Sequence, residues 1–248
     1  MMAALRFHNL TLGYDRHPAV HHLDGAVEKG ALLAIVGPNG AGKSTLFKGI
    51  TGALAPLSGS IERDGIDPRD IAYLPQVADI DRTFPINVYD MVAMGLWRRN
   101  GLFGGIGRNE RGTIEGAIAT VGLTGFEKRS IGTLSGGQMQ RMLFARLLIQ
   151  DARVIVLDEP FTAIDERTAT DLLKLVRQWH GEGRTVLAAL HDMGLVRASF
   201  PQTLLLAREP VAWGATDDVL TAENMNKSRL MCEAFDDQAA ACAAPRAA

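Results

Sequence analysis

Leu32-Leu33-Ala34-Ile35-Val36-Gly37-Pro38-Asn39-Gly40-Ala41-Gly42-Lys43-Ser44-Thr45 decides the fold of this chain. Its opening apolar run reads as a buried strand, the residues from Gly37 to Ser44 fit the pattern G-x-x-x-x-G-K-[ST], and Thr45-Leu46-Phe47-Lys48 is compatible with a helix. Glycines at 37, 40 and 42 let successive backbone N–H groups turn inward around an anion. The helix that follows aims its unsatisfied amides and the positive end of its dipole at the same point. Lys43 adds a full charge for β- and γ-phosphates, and Ser44 offers an oxygen to Mg²⁺. The glycine spacing here, G-x-x-G-x-G, does not match the dinucleotide-binding G-x-G-x-x-G. A nucleotide site follows, with ATP the expected nucleotide.

Downstream, Val154-Ile155-Val156-Leu157-Asp158-Glu159-Pro160 places two carboxylates where an apolar strand emerges. Neighbouring strand residues point to opposite faces, so the two acids should have different tasks. Phosphoryl transfer needs two such parts, a metal that neutralises phosphate charge and a group that positions the nucleophile. Taken alone, the pair could equally cap a following helix. Between the two elements lies Leu134-Ser135-Gly136-Gly137-Gln138, followed by Met139, Met142, Leu143, Ala145 and Leu147 at helical spacing. Ser135, Gly136 and Gly137 therefore look like a second phosphate-binding helix start, although in isolation they would make an ordinary turn.

The order of these three elements, with Tyr14 upstream, Gln76 between and His191 downstream, resembles the nucleotide-binding subunit of an ABC transporter over nearly the whole chain. That resemblance implies an α/β phosphate-loop ATPase core with an antiparallel β subdomain and an inserted α-helical subdomain bearing the signature LSGGQ. It implies that Gly37, Pro38, Asn39, Gly40, Ala41, Gly42, Lys43, Ser44 and Thr45 hold ATP, that Tyr14 stacks on adenine, and that Ser44, Gln76 and Asp158 bind Mg²⁺. Glu159 would orient or activate water, while Lys43, Gln76 and His191 would act at the γ-phosphate. Asp165 matches the D-loop aspartate, with Thr162 where many relatives have serine. In the family the signature meets ATP held by the other subunit, so Ser135, Gly136, Gly137 and Gln138 imply a homodimer with two head-to-tail sites.

From Val77 to Gly95 the sequence is similar to the corresponding stretch of zinc and manganese importer ATPases, where a coupling helix of the membrane subunit docks. The implied protein is a peripheral ATPase on the cytoplasmic face of the membrane, driving uptake of zinc or manganese. Its partners would be polytopic permease subunits and, indirectly, an external metal-binding protein. An iron-chelate or haem importer ATPase, or a soluble ABC ATPase outside transport, are the alternatives.

Composition agrees with a single cassette. The 248 residues carry one phosphate loop and one LSGGQ, half of any two-site machine. Lys and Arg number 26 against 28 Asp and Glu, which gives no basic footprint for nucleic acid, so no nucleic-acid partner is expected. No apolar stretch approaches the roughly 18–20 residues needed to span a bilayer, and residues 1–8 lack a signal peptide's apolar core. Cys232 and Cys242 have neither CxxC spacing nor a nearby histidine, which argues against a zinc site or disulfide framework. His17, His21 and His22 are expected in a solvated loop between strands rather than in a metal site. Strand patterns dominate up to about residue 84, helical spacing from about 85 to 150, and alternating strand and helix from 153. The domain is expected to cover 1–231, with 232–248 a low-complexity, disordered tail.

Overall fold

A computed structural model describes residues 2–15, 17–76, 80–97 and 106–233. Its centre is a six-stranded sheet in the order β5-β6-β7-β3-β8-β9, built from β3 (Leu32–Val36), β5 (Ile71–Leu74), β6 (Val154–Asp158), β7 (Thr185–Ala189), β8 (Gln202–Ala207) and β9 (Glu209–Ala215). The strands run parallel except β9, which pairs antiparallel with β8. The central strands β3, β6 and β7 are apolar except for Asp158 and Thr185 at strand ends, because both faces are covered. On β3, Leu32, Ala34 and Val36 enter one core and Leu33 and Ile35 the other. The same alternation on β6 sends Ile155 and Leu157 to the first core and Val154 and Val156 to the second.

The second core lies under a three-stranded antiparallel sheet of order β2-β1-β4, formed by β1 (Ala3–Tyr14), β2 (His17–Glu28) and β4 (Ser58–Glu62). Helix α1 (Lys43–Ile50) contributes Leu46, Phe47 and Ile50 to this core. Arg63 stabilises its far end by donating to the carbonyls of Gly49 and Ile50, two of the acceptors that a helix C-terminus leaves unsatisfied.

The expected loop at His17 to His22 is instead the start of β2, with Leu12 opposite Val20, Gly13 opposite Pro18 and Tyr14 opposite His17. Pro18 is tolerated because β2 is an edge strand of its sheet. His22 has a φ of 47°, an irregularity that interrupts alternation and leaves Val20 and His21 both buried. Strand pairing and a bulge, rather than composition, decide this stretch.

The other core receives the helical block. Helix α2 (Val88–Ala93) starts at Asn87, whose side chain accepts from the Asp90 amide. Helix α3 (Arg108–Thr120) and helix α4 (Gly136–Gln150) follow, and the Gly-rich break expected between α2 and α3 lies largely outside the described residues. Helix α5 (Glu166–Gly181) packs beside α4, with Phe144 stacked on Trp179 at 5.7 Å between ring centres and 9° between planes. Helices α6 (Met193–Ser199), α7 (Thr216–Val219) and α8 (Ala222–Glu233) complete the fold. Helix α8 runs two residues past the expected boundary at 231, and the expected tail beyond it lies outside the described residues. Among the described residues no helix is long and apolar enough to cross a membrane.

The Phe144–Trp179 stack joins the helical block to the layer beneath it. Phe144→Ala should cost about 3–5 kcal/mol, because both rings are buried and the space cannot close fully. Thermal or urea melting checks this; a loss under about 1 kcal/mol would mean that the block is held by its other contacts.

Candidate active site

The loop from Gly37 to Gly42 leaves the carboxyl end of β3 and enters α1. Two of its glycines are obligatory on steric grounds. A Cβ on Gly37 would lie 2.0 Å from the Leu206 carbonyl oxygen, and one on Gly42, where φ is 93°, would lie 2.4 Å from that of Ala19. The loop is tied down from outside by the Arg208 amide, which donates to the Ala41 carbonyl at 3.0 Å, and Arg208 in turn accepts from the His21 amide at 2.7 Å. Buried His21 is thus part of the wall behind the loop, and burial lowers its imidazole pKa. Lys43 is also buried and donates to the carbonyls of Gly37 at 2.8 Å and Pro38 at 3.1 Å.

A cavity of about 470 Å³ opens over this loop, lined by Ala19, residues 39–45, Gln76 and Glu159. β6 ends on Asp158, buried behind this lining, and Glu159, the next residue, lines the cavity. Asp158 is the last strand residue and is 1% exposed. Its Oδ2 accepts from the Tyr73 hydroxyl at 3.4 Å, and its Oδ1 has no hydrogen-bond partner among the described residues. Burial pushes the Asp158 carboxyl above the ordinary carboxylate range and Glu159 adds to the rise, while the Ser44 and Tyr73 hydroxyls and Lys43 oppose it. A buried carboxylate with one oxygen unpaired among the described residues, and with the Ser44 hydroxyl close enough to lower its pKa, fits a hard divalent cation. Mg²⁺ commonly takes one or two carboxylates and completes its shell with phosphate and water, so no larger acidic cluster is required.

The expected strand alternation does not reach Glu159, because the strand ends at Asp158. The φ of Glu159 is 51°, in the left-handed region that non-glycine residues seldom occupy. His191, just beyond β7, sets its Nε2 2.6 Å from Glu159 Oε1, and the Thr162 hydroxyl donates to Oε2 at 3.3 Å. Both oxygens are therefore oriented at the edge of the cavity.

The remaining residues singled out in the sequence lie outside the cavity lining. Tyr14 is 47% exposed at the end of β1, with Lys48 Nζ 5.7 Å from its ring centre. Ser135 caps α4: its hydroxyl accepts from the Gln138 amide at 3.2 Å, and Gln138 returns the bond by accepting from the Ser135 amide at 3.0 Å. Gly136 lies against the Ala163 carbonyl, and Asp165 caps α5 by accepting from the Thr168 amide at 2.9 Å. The signature and the D-loop thus form one surface, distinct from the cavity of the same chain. Sequence reasoning missed Tyr73 and the bond from Thr162 to Glu159. The signal for Tyr73 was available, a lone hydroxyl in the apolar run Ile71-Ala72-Tyr73-Leu74, but its partner depends on the pairing of β5 with β6.

The ABC transporter family profile matches residues 20–162. The manganese transport system ATP-binding protein MntB of Listeria innocua is 38% identical over 225 residues, covering 89% of this chain and 94% of that protein. The zinc transport system ATP-binding protein TroB of Treponema pallidum is 38% identical over 229 residues, covering 91% and 86%. Among solved structures, an ABC transporter in an inward-facing conformation superposes with a TM-score of 0.81 at 31% identity, covering 92% of this chain and 89% of that one. CbiO1 of Clostridium perfringens, part of the ABC transporter complex CbiONQ, gives 0.73 at 25% identity, covering 93% and 96%.

Because the folded-state pKa of Asp158 is raised, the folded chain holds its proton more tightly than the unfolded chain does. Its contribution to stability is therefore lost as pH rises from the ordinary carboxylate value through the raised one, and at neutral pH the ionised group is a net cost. Asp158→Asn should raise the melting midpoint of the ligand-free chain by about 2–4 °C at neutral pH and abolish stabilisation by Mg²⁺ with nucleotide. A lower midpoint in ligand-free melts would show instead that the carboxylate holds the fold together.

Proposed function

Since the chain belongs to the ABC transporter family as an ATP-hydrolysing subunit, we propose that it drives import of a divalent metal ion, manganese or zinc, with ATP and Mg²⁺ bound at the cavity above α1. The observation that carries the chemistry is the pairing of a buried, under-coordinated Asp158 with a Glu159 whose two oxygens are oriented by His191 and Thr162.

In this reading the amides of residues 37–45 and the start of α1 receive the β- and γ-phosphates, and Lys43 adds its charge there. Ser44, Gln76 and Asp158 would hold Mg²⁺, which when bound neutralises charge on the transferring phosphoryl group. Glu159 orients the attacking water and accepts its proton as the new oxygen–phosphorus bond forms and ADP departs. His191 holds Glu159 and reaches the γ-phosphate. Tyr14 stacks on adenine from the tip of the antiparallel sheet. Ser135, Gly136, Gly137, Gln138 and Asp165, which do not line their own chain's cavity, face the nucleotide of a second copy, so that two copies close around two ATP molecules.

The family works with membrane permease subunits. Phe84, Met94 and Trp97, all large, apolar and exposed, flank α2 and support docking of a permease there. The chain would then lie on the cytoplasmic face of the membrane, served indirectly by an external metal-binding protein. The names of the manganese and zinc relatives support metal as the cargo. Selectivity belongs to the membrane pathway and the external protein, not to His17, His21 and His22.

Glu159→Gln should bind ATP with unchanged affinity, lose turnover at least a hundredfold and accumulate as an ATP-bound dimer, measured by nucleotide binding, phosphate release and size. Wild-type-like hydrolysis would remove Glu159 from the mechanism. For the cargo, cells lacking this subunit should lose manganese or zinc uptake and regain it on re-expression, with replacement of all three histidines changing no preference. Normal uptake of both metals without it, in cells with no redundant ATPase, would overturn the importer reading, and loss of iron uptake alone would favour a chelate importer.

A further inference from the structure

We infer that Gln140, inside α4, is a positioning residue for ATP hydrolysis, its side-chain amide holding the Pro160–Phe161 peptide, one residue beyond Glu159. The inference rests on the role of Glu159 proposed above.

Gln140 is 0% exposed, an unusual position for glutamine. Its Nε2 donates to the Pro160 carbonyl at 2.7 Å, while its Oε1 has no hydrogen-bond partner among the described residues. A side chain serving only to fill space would be better as methionine, which matches glutamine in length and leaves no orphaned acceptor. What methionine cannot supply is the N–H directed at Pro160. That carbonyl is the first after Glu159, the residue at φ 51°. A left-handed non-glycine conformation persists only where its surroundings over-determine it. His191 and Thr162 fix the two carboxylate oxygens, but neither bond holds the backbone. On the backbone the Thr162 amide donates to the Glu159 carbonyl at 3.3 Å, and because Pro160 has no N–H to anchor, Gln140 adds a second, shorter hold at the Pro160 carbonyl.

The anchor behind that grip is rigid. Arg141, the next residue, donates to the Val121 carbonyl at 3.1 Å, to the Thr168 hydroxyl at 3.2 Å and to Asp171 at 3.2 Å, binding α4 to the end of α3 and to α5. Thr168 in turn donates to Asp165 at 2.8 Å. Helix α4 therefore joins the signature at its N-terminus to the loop bearing Glu159 through a buried polar contact, and a small displacement of a reacting group is costly to rate.

The test uses the full chain with Mg²⁺ and ATP, comparing wild type, Gln140→Met, Gln140→Glu and Glu159→Gln by steady-state hydrolysis and thermal melting. Gln140→Met should lower kcat about tenfold, leave KM for ATP within about twofold, and melt at or above the wild-type midpoint. Gln140→Glu supplies an internal rescue: buried, its carboxyl is readily protonated and can then donate to Pro160, so its kcat relative to wild type should rise as pH falls from about 8 to about 6. If the methionine variant does not fold, that profile decides alone. Wild-type kcat in folded Gln140→Met, or a relative profile for Gln140→Glu that stays flat and well below wild type, overturns the inference. Full turnover by Glu159→Gln overturns the reading of Glu159 itself, whereas loss there with wild-type kcat in Gln140→Met removes only Gln140.

Discussion

A parallel sheet covered on both faces can present polar groups to a ligand only where its strands end. Every strand of the central sheet except β9 runs the same way, and β3, β6 and β7 are neighbours or near neighbours in it. Their carboxyl ends therefore open together, bringing the phosphate loop after β3, the carboxylates at the end of β6 and His191 beyond β7 to one edge. Residues separated by more than a hundred positions meet because strand order and direction leave no other exit. Both apolar cores serve this arrangement, one fixing α1 and the phosphate loop, the other carrying the helical block.

Local energetics at that edge run against stability. Asp158 Oδ1 and Gln140 Oε1 are buried without partners among the described residues, each at a cost of about 1–3 kcal/mol, and Glu159 adds left-handed backbone strain. All three lie within the β6–loop–α4 region, while the surrounding cores are densely apolar. Sites that must bind a cation and direct a nucleophile keep polar groups where packing alone would remove them. The surrounding strands offset the cost.

What could be read from the sequence, and what could not, divides along the same physical line. The phosphate loop and the apolar strand ending in Asp158-Glu159 were legible because their chemistry depends on contiguous residues and strand periodicity. The helical block was legible from the spacing of Val88, Met91 and Val92, and of Ile114 and Ile118. His17 to His22 were misread because a histidine-rich, proline-containing stretch resembles a loop until its pairing with β1 is known. The bond made by Thr162, and Tyr73 and Gln140 altogether, were missed for a related reason. Their partners, Glu159, Asp158 and Pro160, lie across a turn, a strand pair and a helix–loop contact respectively, and side-chain identity alone does not specify any of them.

The signature poses a separate problem of hydrogen-bond satisfaction. A helix N-terminus leaves four amides without intrahelical acceptors. In α4 the reciprocal Ser135–Gln138 bonds satisfy the amide at the cap and that of Gln138. Such self-satisfaction shapes the helix start before any anion arrives. Gly136 and Gly137, flanked by the Ala163 carbonyl and by Asp165 and Thr168, keep their surface free of side-chain bulk. A terminus built this way, turned away from its own chain's cavity, can complete a phosphate site only by meeting one from outside. On the proposed reading a second copy supplies that site, and the same constraint that gathers the chain's own strand ends then makes each copy half of two active sites.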